Sequence, residues 1–178
     1  PGSEKKYCIQ QYFLPGELLD QRAKEDKIPY DKWAKRGLLT LCEGNKVNYS
    51  DVTGWFRRMH DEYGIMPLWI GYDPWNSQYW IQEMKDMNLN MVVVRQGAQT
   101  LSQPMKEMAA DLAANRINYN NNPVLKWCLT NTSVKRDDND NIRPIKGQNQ
   151  RQRIDGAVSL LIAYTVLFNN MQDYLNII

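Results

Sequence analysis

Apolar residues occur in short runs that alternate with longer segments of helical periodicity. Residues 91–95 form the clearest strand, because this β-branched run stops at Gln96-Gly97. Residues 102–115 place methionine and leucine side chains on one stripe, which predicts an amphipathic helix. Further strands are predicted over residues 7–14, 38–42, 68–72 and 117–119, and further helices over residues 17–27, 29–37, 50–63, 76–87 and 124–130.

The C-terminal part of the chain predicts a β-hairpin followed by a long apolar helix. Residues 134–136 and 142–145 flank a polar run that is typical of a hairpin turn. From Gly156 to about Phe168 the sequence is strongly apolar and helical. Strands that alternate with helices predict an α/β layer fold. We interpret residues 4–178 as one domain and residues 1–3 as the remnant of a tag-cleavage site, so that position 1 is not a natural start.

Composition places the chain among ordinary globular proteins. Of its 178 residues, 43% are apolar and 24% are charged, which excludes wholesale disorder. The net charge of +2 is too small to indicate nucleic-acid binding by itself, so the distribution of charge matters more. We find no signal peptide, no long apolar span and no zinc-like spacing of the three cysteines, and we expect a soluble protein of a reducing cytoplasm. No phosphate-binding loop ending in Gly-Lys-Ser/Thr occurs, so ATP hydrolysis is not encoded in these residues.

Two aspartates stand at the edges of predicted elements and are the candidate catalytic residues. Asp73 follows an apolar strand, and Asp155 opens the last helix. Spacing alone favours a structural interpretation of each, because Asp-Pro commonly starts a turn and an aspartate ahead of an apolar helix is a good N-cap. The functional interpretation is that both carboxylates converge on divalent metal ions. Rigid placement at a strand end and a helix start suits such a site.

The hydrolysis of a phosphodiester bond explains why paired carboxylates would be needed. The reaction requires an activated water and a neutralised charge on the leaving oxygen, and two hard cations about 4 Å apart can supply both. Mg²⁺ prefers oxygen ligands in octahedral geometry, which aspartate and glutamate provide. Asp73 and Asp155 can share such ions only if their carboxylates come within about 5–8 Å of each other.

A basic segment without acidic residues precedes Asp155. It contains the candidate DNA-binding residues Arg143, Lys146, Arg151 and Arg153. Such charges hold phosphate backbones, and the release of counterions drives the binding. A solvated basic loop without a ligand explains the same pattern equally well. Lys135 and Arg136 extend the segment along the predicted hairpin, whereas the acidic residues at its tip, Asp137, Asp138 and Asp140, dilute the positive charge.

Segments from nearly the whole chain resemble, in order and spacing, the C-terminal nuclease domain of tailed-bacteriophage terminase large subunits. They are Phe13-Leu14-Pro15, Pro29-Tyr30-Asp31-Lys32-Trp33, Gly71-Tyr72-Asp73-Pro74-Trp75-Asn76, Arg95-Gln96-Gly97, Leu101-Ser102-Gln103-Pro104-Met105-Lys106-Glu107, Asn122-Pro123-Val124-Leu125-Lys126-Trp127, Asn131 and Arg153-Ile154-Asp155-Gly156-Ala157. The resemblance implies a ribonuclease H-like α/β fold, with a central mixed sheet flanked by helices. It also implies a cluster of acidic residues that binds Mg²⁺ or Mn²⁺ and cuts concatemeric double-stranded DNA.

The resemblance maps two members of the family's acidic cluster onto Asp73 and Asp155. The family's first catalytic aspartate lies on the first strand of the sheet, upstream of the segment that begins here at Tyr7, and Glu4 does not match its motif. The resemblance therefore predicts an N-terminally truncated fold with an incomplete two-metal site and low or absent nuclease activity. It implies double-stranded DNA, the portal protein and the terminase small subunit as partners, in the host cytoplasm and away from any membrane.

Two other functions remain open at this point. The same fold could serve as a non-catalytic module that grips DNA or docks on the portal, and the distance between the carboxylates of Asp73 and Asp155 distinguishes this module from a nuclease. A ribonuclease H-like resolvase or integrase would share the hydrolytic chemistry. Only the family resemblance of the Asp73 and Gln96 segments argues against that third function.

Overall fold

The computed structural model describes residues 4–75, 78–147 and 152–177. Its helices are α1 (Leu19–Asp26), α2 (Tyr30–Lys35), α3 (Tyr49–Tyr63), α4 (Gln78–Asp86), α5 (Ala98–Ala113), α6 (Pro123–Asn131), α7 (Asp155–Asn169) and α8 (Met171–Ile177). Its strands are β1 (Lys6–Tyr7), β2 (Phe13–Pro15), β3 (Thr40–Cys42), β4 (Ile70–Tyr72), β5 (Met91–Val93), β6 (Ile117–Asn118), β7 (Thr132–Arg136) and β8 (Ile142–Lys146). Each predicted helix is present among the described residues. Residues 76 and 77, the predicted start of α4, lie outside the described residues, and α8 is a helix that was not predicted.

The strands pair two by two within the described part of the chain. The pairs β1–β6, β2–β3 and β4–β5 are parallel, and β7–β8 is the predicted antiparallel hairpin. The prediction of a single strand over residues 7–14 is wrong, because the chain divides there between β1 and β2. The two ends of the segment pair with different strands, β1 with β6 and β2 with β3, so they cannot form one continuous strand of one ladder.

The described residues form two compact units. Unit 1 consists of the described parts of Pro1–Ile9, Trp69–Ser77 and Asn90–Ile178, and unit 2 consists of Gln10–Leu68 and Gln78–Leu89. Both candidate aspartates belong to unit 1. The prediction of one domain over residues 4–178 remains a prediction. None of the helices in the described ranges is long and apolar enough to span a membrane.

Helices α5 and α7 carry most of the core of unit 1. The core side chains share almost complete burial and lie on both helices and on the strands beside them: Val94, Leu101, Met105, Met108, Ile117, Ile142, Leu161 and Val166. The methionine stripe predicted for α5 therefore packs inward, as expected. Helix α5 begins at Ala98, one turn earlier than predicted, and Pro104 lies inside it. Proline is typical of the first turn of a helix, and residues 96–100 before Leu101 are mostly small or polar. The sequence pattern therefore predicts a start of α5 later than the observed one.

Unit 2 is a separate set of helices with an aromatic core. Tyr30 and Trp33 of α2 are buried and meet edge to face, with ring centroids 5.6 Å apart. Met84 of α4 is completely buried. Tyr49 of α3 stacks on Trp80 of α4 with centroids 6.2 Å apart. Part of the aromatic content of the chain therefore serves packing in this unit, whereas Tyr63 and Tyr79 are exposed.

A buried carboxylate ties together four elements of unit 1. Asp111 of α5 is 5% exposed and accepts hydrogen bonds from Lys6 Nζ at 2.7 Å, Arg116 Nε at 2.6 Å and the Tyr164 hydroxyl at 2.7 Å. Burial alone would raise the pKa of Asp111, but the bonds from Lys6, Tyr164 and Arg116 outweigh it and lower the pKa to about 2. Burial and the bond to Asp111 raise the pKa of Tyr164 above its ordinary value. The ionised carboxylate thus fastens β1, α7 and the start of β6 to α5.

Candidate functional site

The parallel pair β4–β5 positions Asp73. Tyr72 lies opposite Val93, and the backbone N–H of Val94 donates to the Tyr72 carbonyl at 2.8 Å, so both chains leave the pair at the same edge. Val94 is 2% exposed and anchors this edge in the core. Asp73 is half-buried and is the first residue after β4. The predicted location of this carboxylate at a strand end is therefore confirmed.

Both oxygens of the Asp73 carboxylate accept hydrogen bonds. The backbone N–H of Trp75 donates to Oδ1 at 3.2 Å, which is the Asx-type turn expected of an Asp-Pro sequence. The side-chain Nε2 of Gln96 donates to Oδ2. The sequence analysis did not single out Gln96 as a site residue. Its position just after the clearest strand was the available signal, but the pairing of that strand with β4 was needed to use it.

Strand β4 lies directly against α7, the helix that begins at Asp155. A Cβ atom at Gly71 would stand 2.6 Å from Cγ2 of Val166 and 2.8 Å from Cγ2 of Ile162, both well inside van der Waals contact. Glycine is therefore required for this approach of strand to helix. The element that ends at Asp73 and the element that begins at Asp155 are thus in contact within unit 1.

Asp155 is the first residue of α7, and its side chain is exposed. The N-cap is Ile154, which makes no side-chain capping bond. The structural interpretation of Asp155 as an N-cap is therefore wrong, because the aspartate already lies inside the helix. A carboxylate in the first turn is favourable beside the positive end of the helix dipole. Burial raises the pKa of the Cys128 thiol, a buried side chain of α6.

Asn131 connects the end of β8 to the residues that directly precede α7. Its buried side-chain amide donates to the carbonyl of Arg153 at 3.1 Å, and its own carbonyl accepts from the backbone N–H of Gly147 at 3.1 Å. A Cβ atom at Gly147 would stand 2.7 Å from Oε1 of Gln152, so these two residues approach closely. The residues before α7 are therefore held against the end of β8 by these contacts. The sequence analysis noted Asn131 only as part of the family resemblance.

The predicted DNA-binding residues do not share one face. In the hairpin, Lys135 lies directly opposite Arg143, and Thr132 lies opposite Lys146. Successive side chains of a strand point to opposite faces, so Arg143 and Lys146 lie on opposite faces of the hairpin. Arg153 is half-buried just before α7, and Arg151 lies outside the described residues. Lys135 and Arg143 are both exposed, and two like charges directly across a ladder repel each other unless an anion screens them.

The acidic residues at the tip of the hairpin stabilise its turn. Asp137 Oδ1 accepts from the backbone N–H groups of Asn139 and Asn141 at 3.0 and 2.9 Å. These bonds from Asn141 and Asn139 lower the pKa of Asp137. Arg136 pairs with Asp140 at 2.5 Å across the same turn. The Asp137 carboxylate is therefore engaged in holding the turn closed.

The donor chemistry suits a divalent cation, but the number of donors is small. Asp73 offers carboxylate oxygens at a rigid strand end, which Mg²⁺ and Mn²⁺ accept as ligands. Within residues 4–75, 78–147 and 152–177, no group of three or more histidine, cysteine, aspartate or glutamate side chains is arranged to hold a metal. A metal site at Asp73 or at Asp155 would therefore contain fewer than three such side chains from the described residues.

Comparison with solved structures identifies the fold. The fold matches the crystal structure of the HK97 bacteriophage large terminase with a TM-score of 0.77 and 24% identity, over 86% of this chain and 32% of that one. It matches the large terminase nuclease from thermophilic phage G20c with bound magnesium with a TM-score of 0.51 and 18% identity, over 68% and 64% of the two chains. The predicted ribonuclease H-like α/β fold is confirmed.

Comparison of sequences defines the family. The family model for the terminase large subunit, endonuclease domain, matches residues 1–170, and the chain belongs to this family. It is 29% identical to protein YmfN of Escherichia coli strain K12, over 75% of this chain and 29% of that protein. It is 25% identical to the large terminase subunit of Enterobacteria phage HK97, over 85% of this chain and 30% of that one. The chain thus spans about 30% of the length of these curated relatives.

Proposed function

We propose that this chain is the DNA-cutting part of a phage packaging terminase, a metal-dependent endonuclease in which Asp73 and Asp155 are metal ligands. The family match over residues 1–170 supports the hydrolytic class. The observation that supports the assignment of the site is the contact of β4 with α7 at Ile162 and Val166, because Asp73 directly follows this strand and Asp155 begins this helix. Bound magnesium in the G20c nuclease favours a cation of this kind.

Asp73 and Asp155 have different roles in binding such a cation. Asp73 is held at both oxygens and offers a fixed direction of approach, whereas Asp155 is exposed at the positive end of α7. When bound, Mg²⁺ or Mn²⁺ would activate water and neutralise charge on the leaving oxygen. Because the described residues contain no group of three potential ligands, we propose that the chain alone binds metal weakly and cuts slowly.

The substrate that we propose is concatemeric double-stranded DNA. The exposed pair Lys135 and Arg143 offers two positive charges side by side, and Lys146, Arg151 and Arg153 remain candidates for further phosphate contacts. We propose the portal protein and the terminase small subunit as partners of the complete large subunit, acting in the host cytoplasm.

A second function is favoured by the small number of metal ligands. A module that grips DNA or docks on the portal without cutting would need the basic hairpin but no acidic cluster. Such a module would bind duplex DNA with equal affinity whether or not Asp73 and Asp155 carry charge. The two functions therefore differ in how metal ions and these two carboxylates affect the chain.

A plasmid-nicking assay with Mn²⁺ tests the proposal on the chain alone and on a full-length large subunit carrying the same residues. We expect the full-length protein to nick supercoiled DNA and to lose at least about 100-fold of its rate in Asp73→Asn and in Asp155→Asn. The hairpin-tip variant Asp138→Asn is the matched control and should keep the rate. Full activity in Asp73→Asn would contradict the ligand assignment. Robust cutting by the chain alone that Asp73→Ala abolishes would contradict the proposed weakness of this chain.

A further inference from the structure

The side chain of Gln96 makes a bond of a different kind from the other glutamine–carboxylate bonds on the surface of the described residues. Gln103 donates to Glu107 at 2.9 Å and Gln82 donates to Asp86 at 2.8 Å, each between residues four apart on one helix. Such bonds form wherever a helix places the two side chains side by side. Gln96 instead reaches Asp73, 23 residues away, across the edge of the β4–β5 pair.

The backbone around Gln96 is fixed by its neighbours, which determines where the side chain begins. The N–H of Val94 donates to the Tyr72 carbonyl, and the Val94 side chain is buried in the core. Gly97 then begins α5 as its N-cap. Gln96 therefore lies on a short connection between β5, whose end is anchored by the buried Val94, and a sixteen-residue helix. From this connection its exposed side chain reaches Oδ2 of Asp73.

The chemistry of an amide donor suits a carboxylate that must bind a cation. Gln96 takes one lone pair of Oδ2 and leaves the full negative charge of Asp73 in place. A lysine or arginine in the same position would orient the carboxylate equally well but would repel an incoming metal ion. Arg95, the preceding residue, is exposed and makes no ion pair within the described residues. The neutral neighbour, and not the cationic one, is the residue in contact with Asp73.

We propose that Gln96 is a positioning residue for the metal site, which fixes the Asp73 carboxylate in its ligating orientation without neutralising its charge. This inference rests on the proposed role of Asp73 as a metal ligand. The partners of a ligating side chain orient it and tune its affinity, and their removal typically weakens metal binding by roughly 10–100-fold. Gln96 acts through Asp73 and need not contact the ion.

The test measures Mn²⁺ binding to the chain without DNA, from the loss of the electron paramagnetic resonance signal of free Mn²⁺. We expect Gln96→Ala to weaken Mn²⁺ affinity by about 10-fold or more. We expect Gln96→Lys, which keeps a donor but adds a positive charge, to weaken it further. Gln103→Ala removes the same type of bond from α5 and should leave the affinity unchanged. Thermal unfolding of each variant should stay close to that of the unaltered chain, because exposed substitutions of this kind change stability by only about 0.5 kcal/mol.

Asp73→Asn separates the two proposals in the same titration. Weakened binding in Asp73→Asn, together with unchanged binding in both Gln96 variants, would overturn the role of Gln96 and leave Asp73 as a ligand. Unchanged binding in Asp73→Asn, or no binding by the unaltered chain at millimolar Mn²⁺, would overturn the ligand assignment and the role of Gln96 with it. Equal affinity in Gln96→Lys and the unaltered chain would refute the requirement for a neutral donor.

Discussion

Replacing Asp111 with asparagine removes the charge on which Lys6, Arg116 and Tyr164 converge and keeps the size of the side chain. The variant resembles the protonated form of the native residue, because an amide can still form neutral hydrogen bonds. The expected loss of stability is therefore the part that depends on charge. Lys6 and Arg116 keep some contact with water, at 29% and 40% side-chain exposure, so the full energy of a buried ion pair does not apply.

The pKa of Asp111 sets the magnitude. Its fall from 3.8 to about 2 means that the folded state favours the ionised carboxylate. The resulting stabilisation is present above the unfolded-state pKa and is lost as pH falls through the folded-state pKa. It amounts to about 2 kcal/mol at neutral pH, which corresponds to a decrease in Tm of roughly 4–8 °C for a chain of this length. By the same relation, about half of this stabilisation by the Asp111 charge remains at pH 3.

Thermal unfolding followed by circular dichroism at pH 7 and at pH 3 checks both numbers. Asp173→Asn, which removes an exposed carboxylate from α8, is the control and should unfold within about 1 °C of the unaltered chain. If Asp111→Asn unfolds at the same temperature as the unaltered chain at pH 7, the buried carboxylate does not stabilise unit 1. If the difference stays constant down to pH 3, its origin is not the charge of Asp111.

Two further changes test the packing of unit 1 and the basic hairpin. Gly71→Ala should destabilise the chain by about 1–3 kcal/mol in urea unfolding, because the new methyl group overlaps α7. Gly54→Ala, at an open position inside α3, is the control and should stabilise the chain by roughly 0.5–1 kcal/mol. Equal effects of the two substitutions would contradict the close contact of β4 with α7. Arg143→Ala should weaken duplex DNA binding in a fluorescence anisotropy titration and reduce the salt dependence of the affinity by about one counterion. Lys35→Ala, at an exposed position of unit 2, is the control and should leave the affinity and its salt dependence unchanged. If Arg143→Ala does not alter the salt dependence, Arg143 is not part of the DNA interface.

Local patterns predicted most elements of the fold but not how they meet. The β-branched run that became β5 and the methionine stripe of α5 were visible because each depends on neighbouring residues alone. The pairing of Asp73 with Gln96 was not, since it depends on the register of two parallel strands that are separated along the chain. Sequence could place each residue at a strand end, and only the register brings them together.

The buried charge at Asp111 shows the same limit more sharply. On α5 it looks like an ordinary acidic residue of a solvated helix, and its partner Lys6 is 105 residues away. Nothing in the local sequence marks a carboxylate as buried when its partners come from three other elements. The break between β1 and β2 was missed for a related reason. Residues 7–14 look like one apolar strand, but their two ends pair with different strands.

The sequence predicted where the candidate residues lie along the elements, but only part of how they are arranged in space. Asp73 lies directly after the strand that the sequence indicated, and its Asp-Pro turn is present, so the structural interpretation is confirmed and the role as a metal ligand stays a prediction. For Asp155 the N-cap interpretation failed by one residue. The basic residues Arg143 and Lys146 looked like one patch along the sequence, but the two-residue period of the hairpin separates them.

A crystal of the chain soaked in Mn²⁺, with anomalous differences measured near the manganese edge, tests the central claim most directly. We predict a peak about 2 Å from carboxylate oxygens of both Asp73 and Asp155, with Gln96 still bonded to Asp73. A peak bound elsewhere, or carboxylates of Asp73 and Asp155 that point to different sides of unit 1, would contradict the proposed metal-dependent nuclease site.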